Sequence, residues 1–261
     1  MATTFGTVLK DWRNQRRMSQ LDLGLSANVS ARHISFLETG RSQPSRAMVL
    51  NLCEQMEVPR DIRNQFLSYA GMSPAYAKRA LTESEMVPAL SAVDWILERH
   101  APYPAIAMDR YWVVVKMNRP AAALLAGMGL NQGDSLITAL AQNAQVREAI
   151  DNFDEVLEHS ITRLRTENTH LGGDPVLEAA IAQLCAQTKK PMQPSKGILP
   201  AFIPTRYRAG GLMFSFFSTF TQFGSAQDIA LSELKIEMMF PADDATCHLL
   251  MAMDGGNGGD V

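Results

Sequence analysis

The chain is poor in cysteine and has no long apolar run. Its three cysteines, Cys53, Cys185 and Cys247, are odd in number and far apart among 261 residues. This usage predicts neither a disulfide framework nor a zinc site of paired cysteines. No segment approaches the roughly 18 consecutive apolar residues of a membrane helix, and residues 1–5 lack the basic and apolar parts of a secretory signal. We therefore expect a cytoplasmic protein with no membrane partner.

Charge is distributed unevenly along the chain, although the formal net charge is only −3. Residues 1–79 contain eleven Lys and Arg against six Asp and Glu, a formal charge of +5. The remainder carries −8. A basic first block on an acidic remainder suggests that the first block binds a polyanion, with chance clustering as the other interpretation. The length also favours two domains over one.

The first 72 residues have the apolar spacing of consecutive short helices. Phe5, Val8, Leu9 and Trp12 recur at i, i+3, i+4 and i+7, which is one face of a helix. Four more helices are predicted by residues that favour a helix start. These residues are Ser19, Ser30, Ser45 and Pro59. The sequence therefore predicts an all-α domain of five helices.

The segment Ser19–Gly40 has the spacing of a helix-turn-helix. Gly24 would allow the second helix to cross the first closely, Val29 fills the turn, and Gly40 can adopt a left-handed conformation after the second helix. Burial of Ile34 and Leu37 would leave the opposite face free for the major groove. The alternative is a helical bundle that contacts other proteins.

Residues 9–45 resemble the Xre/Cro-like helix-turn-helix family, whose pattern is matched by Leu9-x3-Arg13, Ser19-Gln20, Val29-Ser30, Ile34-Ser35 and Glu38-x-Gly40. The resemblance implies a lambda-repressor-like fold and binding to double-stranded DNA. It implies an internal ion pair between Arg13 and Glu38. At the start of the second helix, where the family frequently has Gln, this chain has Ala31. Arg32 is therefore the residue expected to contact a guanine base. The implied DNA-contacting residues are Gln20, Ser30, Ala31, Arg32, His33, Ser35, Phe36, Thr39, Arg41 and Arg46.

The rest of the chain predicts connector helices over residues 73–99, an α+β domain over 100–245 and a flexible tail over 246–261. Two short runs, Ala105–Met108 and Trp112–Met117, form a predicted hairpin. A single helix is predicted over Val146–Leu164, an edge strand over Ile198–Arg206 and a long strand over Leu212–Gln222. In the last strand Leu234, Ile236, Met238 and Phe240 alternate with Glu233, Lys235 and Glu237, which predicts one face on a core and the other in water. The order of these elements along the chain, two strands, then helices, then further strands, predicts an α+β domain with an antiparallel sheet.

No catalytic or metal-binding constellation stands out in this second part. Histidines 159 and 170 lie near acidic residues, but no H-E-x-x-H motif is present, so a solvated helix face is expected instead of a metal site. No G-x-S-x-G motif is present either, and Cys185 has no nearby base in the sequence. We therefore expect no enzyme activity and no cofactor.

The predicted strands of the second part carry many large apolar residues. A sheet lined by Met and Phe can form a filled core or enclose an apolar ligand. Asn118, Arg163 or Arg165 could then hold a polar head group of the ligand. The candidate apolar ligand contacts are Tyr103, Met108, Trp112, Met213, Phe214, Phe216 and Phe217.

Residues 100–245 resemble the MmyB-like ligand-binding domain, through Pro104-Ala105-x3-Asp109-Arg110-x-Trp112, Leu171–Pro175, Ser215–Thr219 and Phe240–Asp243. That family is PAS-like and commonly follows an Xre-type helix-turn-helix in bacterial regulators. The resemblance implies a sensor of a small apolar ligand, for which a fatty-acid-like molecule is one candidate. We expect a homodimer, because one helix-turn-helix reads few base pairs. The alternatives are a second domain that only dimerises, or an enzyme tethered to DNA.

Overall fold

The computed structural model describes residues 3–188 and 202–255. The chain divides into two compact units. The first unit contains the chain up to Arg79 together with the short segments 167–174 and 226–229, and the second contains the remaining described residues. Five helices precede residue 79: α1 (Phe5–Gln15), α2 (Gln20–Ala27), α3 (Ala31–Glu38), α4 (Arg46–Gln55) and α5 (Arg60–Tyr69).

Serine and threonine side chains begin the first four helices of the first unit. Ser19 and Asp22 form a reciprocal capping box at α2, and the Ser30 and Ser45 hydroxyls accept bonds from backbone N–H groups at the starts of α3 and α4. These bonds satisfy donors that a helix start otherwise leaves free. Fourteen buried apolar side chains form one core between the helices. The predicted five-helix domain is confirmed.

Helices α2 and α3 cross closely at Gly24. A Cβ atom placed on Gly24 would lie 2.6 Å from the carbonyl oxygen of Val29 and 3.2 Å from the backbone nitrogen of Ala31. The turn between the helices contains Asn28 in the left-handed conformation, with a φ of 56°. The Val29 N–H then donates to the Gly24 carbonyl at 2.7 Å. A small residue at position 24 therefore sets the distance between the two helices.

The segment that follows α5 is held by side chains of the first unit. The Asn64 amide donates to the Tyr76 carbonyl at 2.7 Å and accepts from the Ala75 N–H at 2.9 Å. The Arg46 guanidinium donates to the carbonyl oxygens of Ser73 and Pro74. The expected connector over 73–99 is therefore divided, because its first seven residues belong to the first unit and the remainder to the second.

The second unit combines a five-stranded sheet with helices. Its helices that precede β5 in the chain are α6 (Val87–Arg99), α7 (Arg119–Ala126), α8 (Leu136–Gln142), α9 (Ala144–Ala149), α10 (Phe153–His170) and α11 (Pro175–Cys185), and the last four residues of α10 belong to the first unit. Its strands are β1 (Ala105–Met108), β2 (Val114–Met117), β3 (Thr205–Ala209), β4 (Leu212–Gln222) and β5 (Lys235–Pro241). Helices α12 (Ile229–Glu233) and α13 (Asp244–Gly255) flank β5.

The sheet is antiparallel throughout, with the strand order β2-β1-β5-β4-β3. The predicted hairpin is present as β1 and β2. The edge strand predicted over Ile198–Arg206 overlaps the observed edge strand β3 only at Thr205 and Arg206, because β3 continues to Ala209. Residues 198–201 of that predicted strand lie outside the described residues. The sheet and its helices confirm the predicted α+β, PAS-like fold class.

Both faces of the sheet are covered, which corrects the prediction for β5. On one face, Ile236 and Leu234 pack with Val93 and Leu97 of α6. On the other face, Lys235 and Met239 are only 8% and 5% exposed. The alternation along the strand therefore separates two buried environments and does not separate a core from water.

The predicted helix over Val146–Leu164 is wrong, because the chain pairs with β3 in its middle. Ile150 forms an isolated bridge with Tyr207, and the Asp151 N–H donates to the Arg206 carbonyl at 2.8 Å. The Asn152 amide adds bonds to Pro204 and Arg206. Helices α9 and α10 lie on either side of this pairing, since tertiary hydrogen bonds outweigh the local apolar period.

The predicted tail from residue 246 is also wrong over residues 246–255, which are in α13. Thr246 is 1% exposed, and its hydroxyl accepts from the Ser215 N–H of β4 at 2.9 Å. Leu250 is buried as well. The glycine-rich sequence that suggested a tail lies almost entirely in 256–261, outside the described residues.

We expect Gly24→Ala to destabilise the first unit. Overpacking against a backbone carbonyl costs about 1–3 kcal/mol, which exceeds the ~1 kcal/mol that alanine gains in helix propensity. Urea unfolding followed by circular dichroism measures the change. Ser26→Ala, at an exposed position of the same helix, serves as the control, and an unchanged midpoint for Gly24→Ala would contradict the close crossing.

Candidate DNA-reading helix and ligand cavity

Helix α3 presents one face to the core and the other to solvent. Ile34 and Leu37 are 0% and 1% exposed. Arg32 is exposed, while Ala31, His33, Ser35 and Phe36 are partly exposed. The structure therefore places the candidate base-reading residues together on the outer side of α3, and Ser30 begins the helix by capping His33 at 3.2 Å.

Two arginines flank the Phe36 ring at this outer side. The guanidinium carbons of Arg32 and Arg41 lie 5.2 Å and 6.0 Å from the ring centroid. Cation–π contacts of this kind are attractive, by about 0.5–1 kcal/mol at exposed sites, and favour guanidinium groups near an aromatic face. The two side chains are thereby gathered at the C-terminal half of α3 and the loop after it.

The Glu38 carboxylate joins three helices. Arg13 of α1 donates to it from Nε at 2.6 Å and from Nη2 at 3.1 Å. Gln20 of α2 donates to the same group at 2.8 Å. The side chains of Arg13 and Glu38 are 9% and 3% exposed. The Arg13–Glu38 pair is thus bidentate and nearly excluded from water.

Besides Ser30, which caps α3, three of the expected DNA-contacting residues already have side-chain hydrogen bonds within the first unit. One amide hydrogen of Gln20 is used by Glu38. The Thr39 hydroxyl donates to the Ser35 carbonyl at 2.8 Å. Arg46, expected on a phosphate, lies on the carbonyl oxygens of Ser73 and Pro74. A phosphate contact by Arg46 would require these two bonds to break.

A cavity of about 350 Å³ lies between the sheet and helices α7 to α10 of the second unit. Its lining is mainly apolar, from β1, β4 and β5 on one side and the helices on the other. Four predicted ligand contacts line it: Trp112, Arg163, Phe216 and Phe217. The cavity is of the size that accommodates a small ligand.

Arg163 of α10 lies between two aromatic rings at this cavity. Its guanidinium carbon is 4.2 Å from the Trp112 ring centroid and 3.5 Å from that of Phe220. Stacking on two rings fixes the plane of the guanidinium and removes water from both of its faces. His159 and Ser160, one turn earlier on the same helix, also line the cavity.

Four predicted ligand contacts do not line this cavity. Met108 is 0% exposed in the core, and Met213, next to Phe214 on β4, is 40% exposed. Tyr103 packs beside His100 and Phe240. Phe214 lines a different cavity. Arg165, the other candidate head-group residue, is exposed and donates to the Cys185 sulfur at 3.4 Å.

Asn118 is structural, which corrects its expected role as a head-group contact. Its Oδ1 accepts from the backbone N–H groups of Ala105 and Ala121, each at 3.0 Å. Its Nδ2 donates to the Leu97 and Tyr103 carbonyls at 3.0 Å and 2.8 Å. Both amide hydrogens are thus used, and the side chain caps α7 and ties it to the start of β1.

The sequence reasoning missed several polar residues of the cavity, including Ser160, Tyr207 and Glu237. The cavity-lining face of α10 could have been recognised from the sequence, because Val156, Ser160 and Arg163 have the i, i+4, i+7 spacing of one helix face. Burial, followed by the nearby Glu237 charge, raises the pKa of Tyr207 above its ordinary value. Tyr207 therefore keeps its proton and offers a hydroxyl donor.

Within the described ranges, no group of three or more His, Cys, Asp and Glu residues could hold a metal ion. In the same part of the chain, no helix has both the length and the apolarity to cross a membrane.

Comparison with known proteins identifies both parts of the chain. Residues 89–252 match the MmyB-like transcription regulator ligand binding domain, and residues 4–66 match a helix-turn-helix domain. The chain belongs to the MmyB-like family. It is a transcription regulator that joins a helix-turn-helix domain to an MmyB-like ligand-binding domain.

No match was found among the curated proteins. Among solved structures, one described as "Structure of an RNA-binding Light-Oxygen-Voltage Receptor" is 12% identical and covers 97% of this chain and 67% of that chain. Its TM-score of 0.25 is too low for a comparison of folds.

We expect Asn118→Ala to destabilise the MmyB-like domain by about 3 kcal/mol, because it removes a helix cap and leaves buried backbone groups without partners. Thermal unfolding of the full chain measures this change, and Asn131→Ala, at an exposed position, should leave the transition unchanged. A head-group role would show the reverse pattern, with weaker ligand binding and unaltered stability.

Proposed function

We propose that this regulator binds double-stranded DNA in a sequence-specific manner and that a small apolar ligand with a polar head group controls this binding. The observation that carries the proposal is the cavity of about 350 Å³ with Arg163 held between Trp112 and Phe220. A filled core would leave no such space. The cavity therefore favours a sensor over a domain that only dimerises.

The DNA contact proposed for the first unit is made by the outer face of α3 in the major groove. Arg32 is the proposed guanine reader, and Ala31 and Phe36 are the proposed apolar neighbours at thymine methyl groups. Arg41, in the loop after α3, and Thr39 would contact phosphates. The exposure of Arg32 and Arg41, and their common position at Phe36, support this assignment.

The proposed ligand is a fatty-acid-like molecule with an anionic head at Arg163. A planar guanidinium stacked on two rings is suited to a bidentate bond with a carboxylate. Ser160 and the protonated Tyr207 offer hydroxyl groups to the same cavity. Apolar side chains of α7, α8 and β4 would enclose the tail.

The proposed mechanism is a shift between two arrangements of a homodimer. Two helix-turn-helix domains related by a two-fold axis would read half-sites about 34–36 Å apart. A ligand can change the operator affinity only if it binds one arrangement more tightly than the other. The effect of the ligand on DNA binding is therefore a direct measure of that difference.

We expect Arg32→Ala and Arg41→Ala to affect DNA binding differently. Loss of a bidentate guanine contact costs about 1–3 kcal/mol on the specific site alone, whereas loss of a phosphate contact weakens binding to all duplexes and lowers the salt dependence. Titrations over a range of salt, on a duplex selected by the wild-type protein and on a random duplex, separate the two. Equal losses on both duplexes for Arg32→Ala would contradict its role as a base reader.

We expect Arg163→Ala to weaken the binding of decanoate at least about tenfold and to abolish any effect of decanoate on operator affinity, because a charge-assisted bond is lost. Calorimetry and gel-shift titration measure the two effects. Binding of 1-decanol should change much less. Arg165→Ala removes the exposed arginine of the same helix and should leave decanoate binding unaltered, so equal losses for the two variants would contradict the head-group assignment.

A further inference from the structure

A second apolar cavity of about 200 Å³ lies in the MmyB-like domain, lined by α7, β4 and α13. Ala123, Phe214 and Leu250 are among its lining residues. Arg119 and Asp254 are the only charged side chains in this lining. It therefore offers an apolar space without a ring-stacked cation comparable to Arg163.

The two cavities follow one another along the same two elements. On β4, Phe214 lines only the second cavity, Phe216 lines both, and Phe220 lines only the first. Alternate residues of a strand share a face, so the row from Phe214 to Phe220 extends about 20 Å. On α7 the order is the same, since Ala123 lines the second cavity and Leu125 the first.

Phe216 lies where the two cavities meet. Its side chain is 2% exposed. Its ring is parallel to that of Phe214 within 2°, with centroids 6.4 Å apart, and lies 6.0 Å from the Tyr207 ring. Phe214 and Tyr207 are cross-strand partners, so both rings pack against Phe216 from the Phe214 end of the row. Among the described residues, Phe216 is the only one that lines both of these cavities.

We propose that the two cavities are sections of one ligand channel and that Phe216 divides them, thereby limiting the length of the apolar tail that the sensor accepts. This rests on the proposed function, in which the head group is held at Arg163 in the first cavity. The tail then points away from Arg163 along β4 and α7 and ends against the Phe216 ring. The second cavity is the space into which a longer tail extends when that ring is removed.

The test is a chain-length series on the full-length protein. Saturated straight-chain carboxylates and the matching primary alcohols are titrated by calorimetry into the wild type and into Phe216→Ala. In both series the wild-type affinity should rise about fourfold per methylene, as expected for buried CH₂ groups, and then stop rising at a limiting length. Phe216→Ala should move that limit to tails at least two methylenes longer, and Phe216→Leu should move it less.

Two further variants make the comparison specific to the channel. Phe223→Ala, a matched deletion of a ring that packs against the cluster on the opposite face of the sheet, should keep the wild-type limit. Adding Ala123→Phe to Phe216→Ala should restore the wild-type limit by filling the second cavity. A limit that is unchanged in Phe216→Ala and Phe216→Leu, or that Phe223→Ala shifts equally, would overturn the proposal.

Failure of the inference and failure of the proposed function give different results. If the alcohols bind with a limiting tail length that Phe216 controls but the carboxylates do not bind, the channel is supported and the anionic head group is rejected. If neither series binds to the wild type or to the variants, the channel itself is rejected.

Discussion

The orientation of α3, the second helix of the helix-turn-helix, depends on a carboxylate that is nearly excluded from water. Glu38 is held by a bidentate bond from Arg13 of α1 and by a bond from Gln20 of α2. A buried charge that loses its partners is strongly destabilising, so the three helices can adopt only arrangements that keep this network. Helix α3 has eight residues, too few to be stable alone. Its outer face is therefore positioned by contacts on its inner side.

The second domain is built on a sheet that is covered by helices on both faces. Helix α6 closes one face with a tightly packed apolar cluster. The other face meets helices that do not fill the space, and the cavities lie there. Alternate residues of a strand thus pack in an apolar core on one face of the sheet and line a cavity on the other. The space on the second face is therefore compatible with an apolar core on the first.

Much of the first domain could be predicted from its sequence, because its signals are local. Ser30 and Gly24 mark a helix start and a close crossing by residue type alone, and the structure places both accordingly. The position of Arg46 could not be predicted, since its carbonyl partners are more than 25 residues away. In the second domain the many Met and Phe residues of the strands predicted an apolar cavity. The structural role of Asn118 could not be predicted, because its hydrogen-bond partners come from separate backbone segments. The break between α9 and α10 could not be predicted either, because it results from the pairing of Ile150 and Asp151 with β3.

The side chains of Arg46 and Asn64 have a consequence for excising the DNA-binding part of the protein. Their hydrogen bonds end on residues 73–76, beyond the last apolar turn of α5. A proteolytic fragment cut at residue 72 would lose these bonds and release the Arg46 guanidinium beside the loop after α3. Such a fragment would also lack Lys78 and Arg79, so its charge and the position of its Arg46 side chain would both differ from those in the intact chain. Cleavage after residue 79 would preserve these bonds.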